Sequence, residues 1–254
     1  MSTNADKDSV NELSLFAQKR LLKDIRNIHC DKTLKDNGIY YIHSTSEMAR
    51  GYALIIGPED TPYQHGAYLF EITFPENYPH SPPKFKYLTN DGKTRYHPNL
   101  YTNGKVCLSI LNTWKGDQWT SSITLSHILL NILSILTKDA LLHEPGITLM
   151  NRRQDVEDYD NIIEYKNIWF CVCDFASDNS TYFKPETKEL HKLHREYIRT
   201  SKDKLKQALV MLKERENTQC LGTSIYGLSK IFLDYDLLFN KYQQVIEEDE
   251  YYSK

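Results

Sequence analysis

Seven of the nine prolines in this 254-residue chain fall between Pro58 and Pro98. Proline fixes its own φ, donates no backbone hydrogen bond, and pushes the residue before it towards extended conformations. A stretch interrupted this often cannot be mainly helical, so its apolar residues must be carried by strands and turns. The pattern agrees. Tyr68, Phe70, Ile72 and Phe74 alternate strictly, as in a half-buried strand. Ile39–His43 and Tyr52–Ile56 are rich in aromatic and branched residues, and Gly57-Pro58, Thr61-Pro62 and His65-Gly66 punctuate the runs. The simplest construction from Gly38 to Tyr87 is an antiparallel meander of about four strands.

Helical spacing flanks this region on both sides, which gives an α+β fold. Leu13, Phe16, Ala17, Leu21, Ile25 and Ile28 recur at the period of a helix, with Lys19, Arg20, Lys23 and Arg26 on the other face. Leu125 to about Leu136 is apolar on most sides, as in a buried helix, with Ser122 or Thr124 available as its cap. Val156–Phe175 is helical by the same criterion. We therefore divide the chain into a polar, flexible tail over residues 1–12, a core domain over 13–176 and a helical extension over 177–254. In the extension, Ser177–Thr181 is a polar break. Leu190 to Leu212 outlines one amphipathic helix and Leu228 to Ile246 a second, and EEDEYYSK forms a disordered acidic tail. Two such helices must bury their apolar faces, either on the core or on a partner.

A formal net charge of −3 gives no strong pull towards nucleic acid or an anionic membrane. No apolar run is long enough to span a bilayer, and the polar opening MSTNADKDSVNE shows no signal peptide. The five cysteines are irregularly spaced, which argues against a disulfide framework and for a reducing compartment, the cytoplasm or also the nucleus. No metal site is expected. Cys171-x-Cys173 lacks a second ligand pair and has apolar neighbours, so both cysteines belong in a core; His191 and His194 supply only two ligands.

The remaining chemistry concentrates in HPNLYTNGKVCLSILNTWKGDQW, residues 97–119. Pro98 biases His97 towards an extended conformation, and Asn103-Gly104 is a strong turn signal. Val106, Leu108 and Ile110 then alternate with Cys107 and Ser109, so Cys107 lies just past a tight turn and eight residues after Asn99. It has no neighbouring His or acid in sequence and only Lys105 as a nearby cation. A thiol in such surroundings is modestly reactive and suits receiving an acyl group from an already activated donor. An asparagine side chain beside it can donate to a developing oxyanion.

The order of these residues resembles the active-site segment of ubiquitin-conjugating enzymes: the His-Pro-Asn tripeptide, the Asn-to-Cys spacing, the Cys-Leu-x-Ile-Leu continuation and the following Trp. The longer form CLSILNTWKGDQW is similar to the subfamily of conjugating enzyme Z and of the conjugating domain of the giant inhibitor-of-apoptosis protein. Upstream, GPEDTPYQHGAYLFEITFPENYPHSPPKF resembles the family's central sheet, and downstream the similarity continues through YDNIIEYKNIWFCVCDF. It is strongest from about Leu13 to Ala176.

The resemblance implies a four-stranded meander with an N-terminal helix and further helices packed on it. It also implies that Cys107 carries ubiquitin or a ubiquitin-like modifier as a thioester, accepted from an activating enzyme and passed to a substrate lysine or a ligase. Asn99 would stabilise the oxyanion or brace the loop that does so, and His97 and Pro98 would shape that loop. Glu144, before Pro145, matches an acid that orients the incoming amine, with His143 beside it. Lys19, Arg20 and Lys23 match the K-R-x-x-K pattern by which the first helix docks on the activating enzyme. No cofactor is implied, since ATP is used by the activating enzyme. The chain is expected to act as a monomer on protein partners. The chain departs from the family where many members carry Phe after the Tyr-Pro pair and Ser-Pro-Ala after the Trp: here stand His80, read as an exposed loop residue, and Thr120-Ser121-Ser122. Two rivals stand beside this reading. One is a non-catalytic ubiquitin-binding scaffold of the same fold. The other is a cysteine hydrolase pairing Cys107 with His97, His127 or His143.

Overall fold

A computed structural model of the chain describes residues 13–177, 184–215 and 218–252. The expected tail over 1–12 and most of the break Ser177–Thr181 lie outside these residues. Four strands, β1 (Ile39–His43), β2 (Arg50–Ile56), β3 (Ala67–Thr73) and β4 (Lys84–Tyr87), form an antiparallel sheet in sequence order, the meander expected. The register pairs Tyr41 with Ala53 and Ala53 with Phe70, which sends the alternating aromatic residues of β3 to one face.

That inner face is covered by α1 (Leu15–Cys30), α3 (Leu125–Ile135) and α4 (Leu149–Lys166), with the short α2 (Lys32–Asp36) leading into β1. Ala17, Leu21 and Ile28 of α1 meet Ile55, Phe70, Ile72, Leu129 and Ile132 in the main core. Thr124 caps α3 in a reciprocal arrangement with His127. After α4 the backbone widens into eight residues of π-helix, Asn167–Asp174. Asn167 is fully buried there, accepts from the Tyr68 hydroxyl at 2.7 Å and donates to the Gln64 carbonyl at 2.9 Å, fastening the helix to β3 and the turn before it. Gly66 is required at this contact: a Cβ there would lie 1.9 Å from the Asn167 carboxamide oxygen.

Part of the outer face is covered as well. Tyr52, Leu54, Ile56, Ala67 and Leu69 form a second apolar layer with Phe175 and Leu190. Leu190 lies in the first turn of α5 (Lys188–Thr200), so the extension packs on the core, the first of its two expected destinations. The central strands are therefore covered on both sides over Tyr52–Ile56 and 67–69, where alternation had pointed to one, while Lys84 and Lys86 of β4 remain exposed.

Three expectations about the extension need correcting. The single helix read from Leu190 to Leu212 is two, α5 and α6 (Lys202–Arg215), separated at Ser201, because their apolar faces serve different layers. Leu205, Leu209 and Leu212 pack with Leu238 and Tyr242 of α7 (Tyr235–Tyr252), away from the sheet. The helix read from Leu228 begins only at Tyr235. Before it, β6 (Ile231–Asp234) pairs antiparallel with β5 (Thr218–Leu221), with Phe232 exposed and Leu233 buried in strand alternation. The acidic stretch expected to be disordered is helical as far as Tyr252. Phe16 also differs: it is 60% exposed and stacks on the exposed His80 ring at 5.7 Å. No helix among the described residues is long and apolar enough to cross a membrane.

Candidate active site

The segment from His97 to Trp119 is a loop held by its own hydrogen bonds. The Asn103-Gly104 turn closes with Gly104 N–H on the Tyr101 carbonyl at 2.9 Å, and Gly104 has the positive φ of 88° that glycine tolerates. The chain then returns alongside residues 97–100. Leu100 bridges both His97 and Val106, and the Cys107 N–H donates to the Asn99 carbonyl at 2.9 Å. In return, the Asn99 carboxamide donates to the Cys107 carbonyl at 2.6 Å. Residues eight apart in sequence are thereby fixed side by side. The Asn99 N–H also donates to His97 Nδ1 at 3.0 Å, which fixes that imidazole's acceptor.

His97 is fully buried. Burial, with the His143 ring next, pushes its pKa well below the ordinary histidine value, so it is a neutral, structural ring at neutral pH. The two imidazole centroids lie 5.0 Å apart, and burial lowers His143 too. After Cys107 the chain turns through Ser109–Leu111 and Asn112, which has φ 57°, and crosses the exposed loop 112–118. Thr113 Oγ1 accepts from the Leu108 N–H at 2.9 Å and donates to the Val106 carbonyl at 2.8 Å, so this loop is tied to the residues flanking the cysteine. Trp119 closes it by donating to the Pro79 carbonyl at 2.7 Å. Cys107 is a free thiol with only 1% of its surface exposed.

Glu144 follows a short turn, Ala140–His143, and so sits next to the His143 ring that packs on His97. Its carboxylate accepts a hydrogen bond from the Tyr226 hydroxyl, a residue of the extension. Arg95 joins the same group. Its guanidinium lies 4.5 Å from the Tyr226 ring centroid and 3.4 Å from that of Tyr101, and it donates to the Pro98 carbonyl. Tyr226 and Arg95 were not singled out in the sequence. Arg95 was legible only as a residue two before His97, and Tyr226, 82 positions from Glu144, gave no local signal.

The three basic residues of α1 divide. Lys19 and Lys23 are exposed. Arg20 is engaged inside the molecule: it pairs with buried Asp24 at 3.0 Å, donates to the Ser121 carbonyl at 2.5 Å and to the Ile123 carbonyl at 2.7 Å, and lies over the Tyr78 ring. Arg20, matched to the docking pattern with the two lysines, is thus engaged within the fold. Its fork is satisfied by groups that tie α1 to the entry of α3.

Among the described residues no group of three or more His, Cys, Asp or Glu is placed to hold a metal. Cys171 and Cys173 are fully buried, and burial raises both thiols far above the ordinary value. His194 is fully buried in α5, with Nε2 at 3.2 Å from the His65 carbonyl and the Phe175 ring edge-on at 5.1 Å. It serves the junction between extension and core.

Comparison with known proteins gives a consistent picture. The family profile described as "Ubiquitin-conjugating enzyme" matches residues 20–161. Human ubiquitin-conjugating enzyme E2 Z is 35% identical over 179 residues, covering 70% of this chain and 50% of that protein. The probable ubiquitin-conjugating enzyme protein 17 of Caenorhabditis elegans is 34% identical over 209 residues, covering 78% of this chain and 28% of the relative. The human dual E2 ubiquitin-conjugating enzyme/E3 ubiquitin-protein ligase BIRC6 is 38% identical over 143 residues, 52% of this chain and 3% of that protein. The chain spans about half the length of the E2 Z relatives it matches.

Proposed function

This chain belongs to the ubiquitin-conjugating enzyme family, and from that we propose that Cys107 carries ubiquitin or a ubiquitin-like modifier as a thioester. The Cys107 thiolate attacks the thioester carbonyl presented by an activating enzyme. The C–S bond to Cys107 forms and the activating enzyme's thiolate leaves. A substrate lysine amine then attacks the new thioester. The C–N bond forms, the C–S bond breaks, Cys107 leaves as thiolate and the amine gives up its proton. Transfer to a ligase cysteine follows the same exchange without the amine. ATP is consumed by the activating enzyme, so this chain uses no cofactor of its own.

The roles follow from what each group touches. Asn99 braces the cysteine loop through the Cys107 carbonyl and is close enough in the fold to turn its amide towards a tetrahedral oxyanion. His97 holds the Asn99 backbone and stays neutral. Glu144 aligns the incoming amine by its charge and position. Lys19 and Lys23 attract the activating enzyme, an effect on encounter rate more than on final affinity. The observation that carries the reading is the reciprocal pair of hydrogen bonds between Asn99 and Cys107.

The test is a non-reducing gel of the chain with activating enzymes, ATP and a panel of modifiers. The expected result is an adduct cleaved by thiol reductant, and one that survives reductant when Cys107→Ser replaces the thioester by an oxyester. No adduct across the panel would sink the reading. The burial of Cys107 is the observation that favours the rival binding scaffold. In that case modifier binds without any covalent band.

A further inference from the structure

We infer that Tyr226 of the C-terminal extension is a positioning residue for amine transfer, acting through Glu144. The inference rests on the conjugating reading above and assigns to the extension a part in that chemistry. The geometry is specific. The Tyr226 hydroxyl donates to Glu144 Oε2, and Glu144 directly follows His143, whose ring lies 5.0 Å from that of His97 at the start of the cysteine loop. A carboxylate on a loop has several rotamers, and one phenol donor on one oxygen selects among them and turns the other oxygen to a fixed direction.

Tyr226 is itself held from several sides. Its backbone φ is 56°, a conformation that an aromatic residue adopts only when its surroundings impose it. The Tyr159 ring meets it edge-on at 6.2 Å, and the Arg95 guanidinium covers it. The loop bearing it is riveted to the core. Buried Thr223 donates to Asp155 at 2.6 Å and its N–H donates to the Leu228 carbonyl at 3.0 Å, while Leu228 is buried in the main core. Arg95 also donates to the Pro98 carbonyl, so one side chain touches both the His-Pro-Asn turn and the extension. A tyrosine needed only to fill space would require neither the hydroxyl contact nor the strained backbone.

The test uses the full chain, charged with modifier and then chased with free lysine or with hydroxylamine. Hydroxylamine is a small, neutral, strong nucleophile that needs no carboxylate to align it. The readout is the ratio of the two single-turnover discharge rates for each protein, which cancels general loss of folding or of charged protein. Tyr226→Phe keeps the ring over Arg95 and removes only the donor; its lysine-to-hydroxylamine ratio is expected to fall about tenfold. Glu144→Gln is expected to fall at least as far, and the double variant no further than Glu144→Gln alone. A Tyr226→Phe ratio within about twofold of the parent, or a loss that adds fully to that of Glu144→Gln, would overturn the assignment. If the parent chain takes up no modifier, this assignment and the reading beneath it both fail; charging with an unchanged ratio overturns this assignment alone.

Discussion

Replacing Arg20 by alanine separates a brace from a docking charge. The side chain is 17% exposed and its partner Asp24 is 2% exposed, so Arg20→Ala leaves a buried carboxylate whose remaining donor is the Tyr78 hydroxyl. Breaking a buried ion pair by removing one partner costs about 3–5 kcal/mol. The retained phenol and the partial exposure of Arg20 bring this towards the lower end. The Ser121 carbonyl sits where water replaces the lost donor, and the Ile123 carbonyl is less accessible. A net destabilisation of about 2–3 kcal/mol follows. For a chain of this size each kcal/mol lowers the melting temperature by roughly 2–4 °C, so the fall should be about 4–12 °C. A surface docking charge changes stability by no more than about 0.5 kcal/mol. Thermal unfolding of Arg20→Ala, Lys19→Ala and Lys23→Ala therefore sorts the three residues. The charging rates of the two lysine variants should drop at low salt and converge on the parent at high salt. Arg20→Lys should also melt early, because an ammonium cannot span Asp24 and two carbonyls at once. An Arg20→Ala protein that melts within about 1 °C of the parent would refute the reasoning.

Stability should fall on acidification below about pH 6.5. The folded-state pKa of His194 is pushed down to about 3 and that of His97 well below its ordinary value, so the unfolded chain binds protons that the folded chain refuses. At pH 5.5 His194 costs about 1 kcal/mol and His97 adds to it in the same direction, partly offset by Asp160, whose raised pKa of about 6 adds folded-state protonation over the same range. Urea midpoints that stay level between pH 7 and 5.5 would exclude this. Asn99→Ala removes the donor to the Cys107 carbonyl and should slow lysine discharge by about 10–100-fold while costing about 1 kcal/mol of stability. Asn99→Asp, equal in size but lacking the donor, should be no faster in single-turnover discharge. Gly66→Ala drives a methyl into the Asn167 carboxamide and should cost about 3 kcal/mol, read as a fall in melting temperature with loss of soluble yield.

What the sequence disclosed depended on how far apart the interacting residues lie. The meander was legible because proline forbids helix and because Tyr68, Phe70 and Ile72 alternate within one strand. The helix capped by Thr124 was legible for the same reason: every signal lay within a dozen residues. The Asn99 and Cys107 pair could be placed because a turn signal stood between them. The break at Ser201 and the β5–β6 hairpin were hidden. Leu228, Ile231, Phe232 and Tyr235 satisfy a helical period by accident, and a four-residue strand carries too few positions to contradict it. Arg20 reads as one more solvated cation until its carbonyl partners, 101 and 103 residues away, are brought to it. The bond from Tyr226 to Glu144 is of the same long-range kind.

Central strands covered on both sides change what the molecule can be cut into. Phe175 and Leu190 lie under Tyr52, Leu54, Ile56, Ala67 and Leu69, while Thr223 and Leu228 fasten the same extension to the opposite flank. Clipping the chain after residue 176 would strip apolar cover from beneath the strands and remove the Tyr226 donor from Glu144 in one stroke. The fragment left behind would turn that apolar layer towards water. The two parts are better regarded as halves of one clasp, each supplying apolar surface that the other covers.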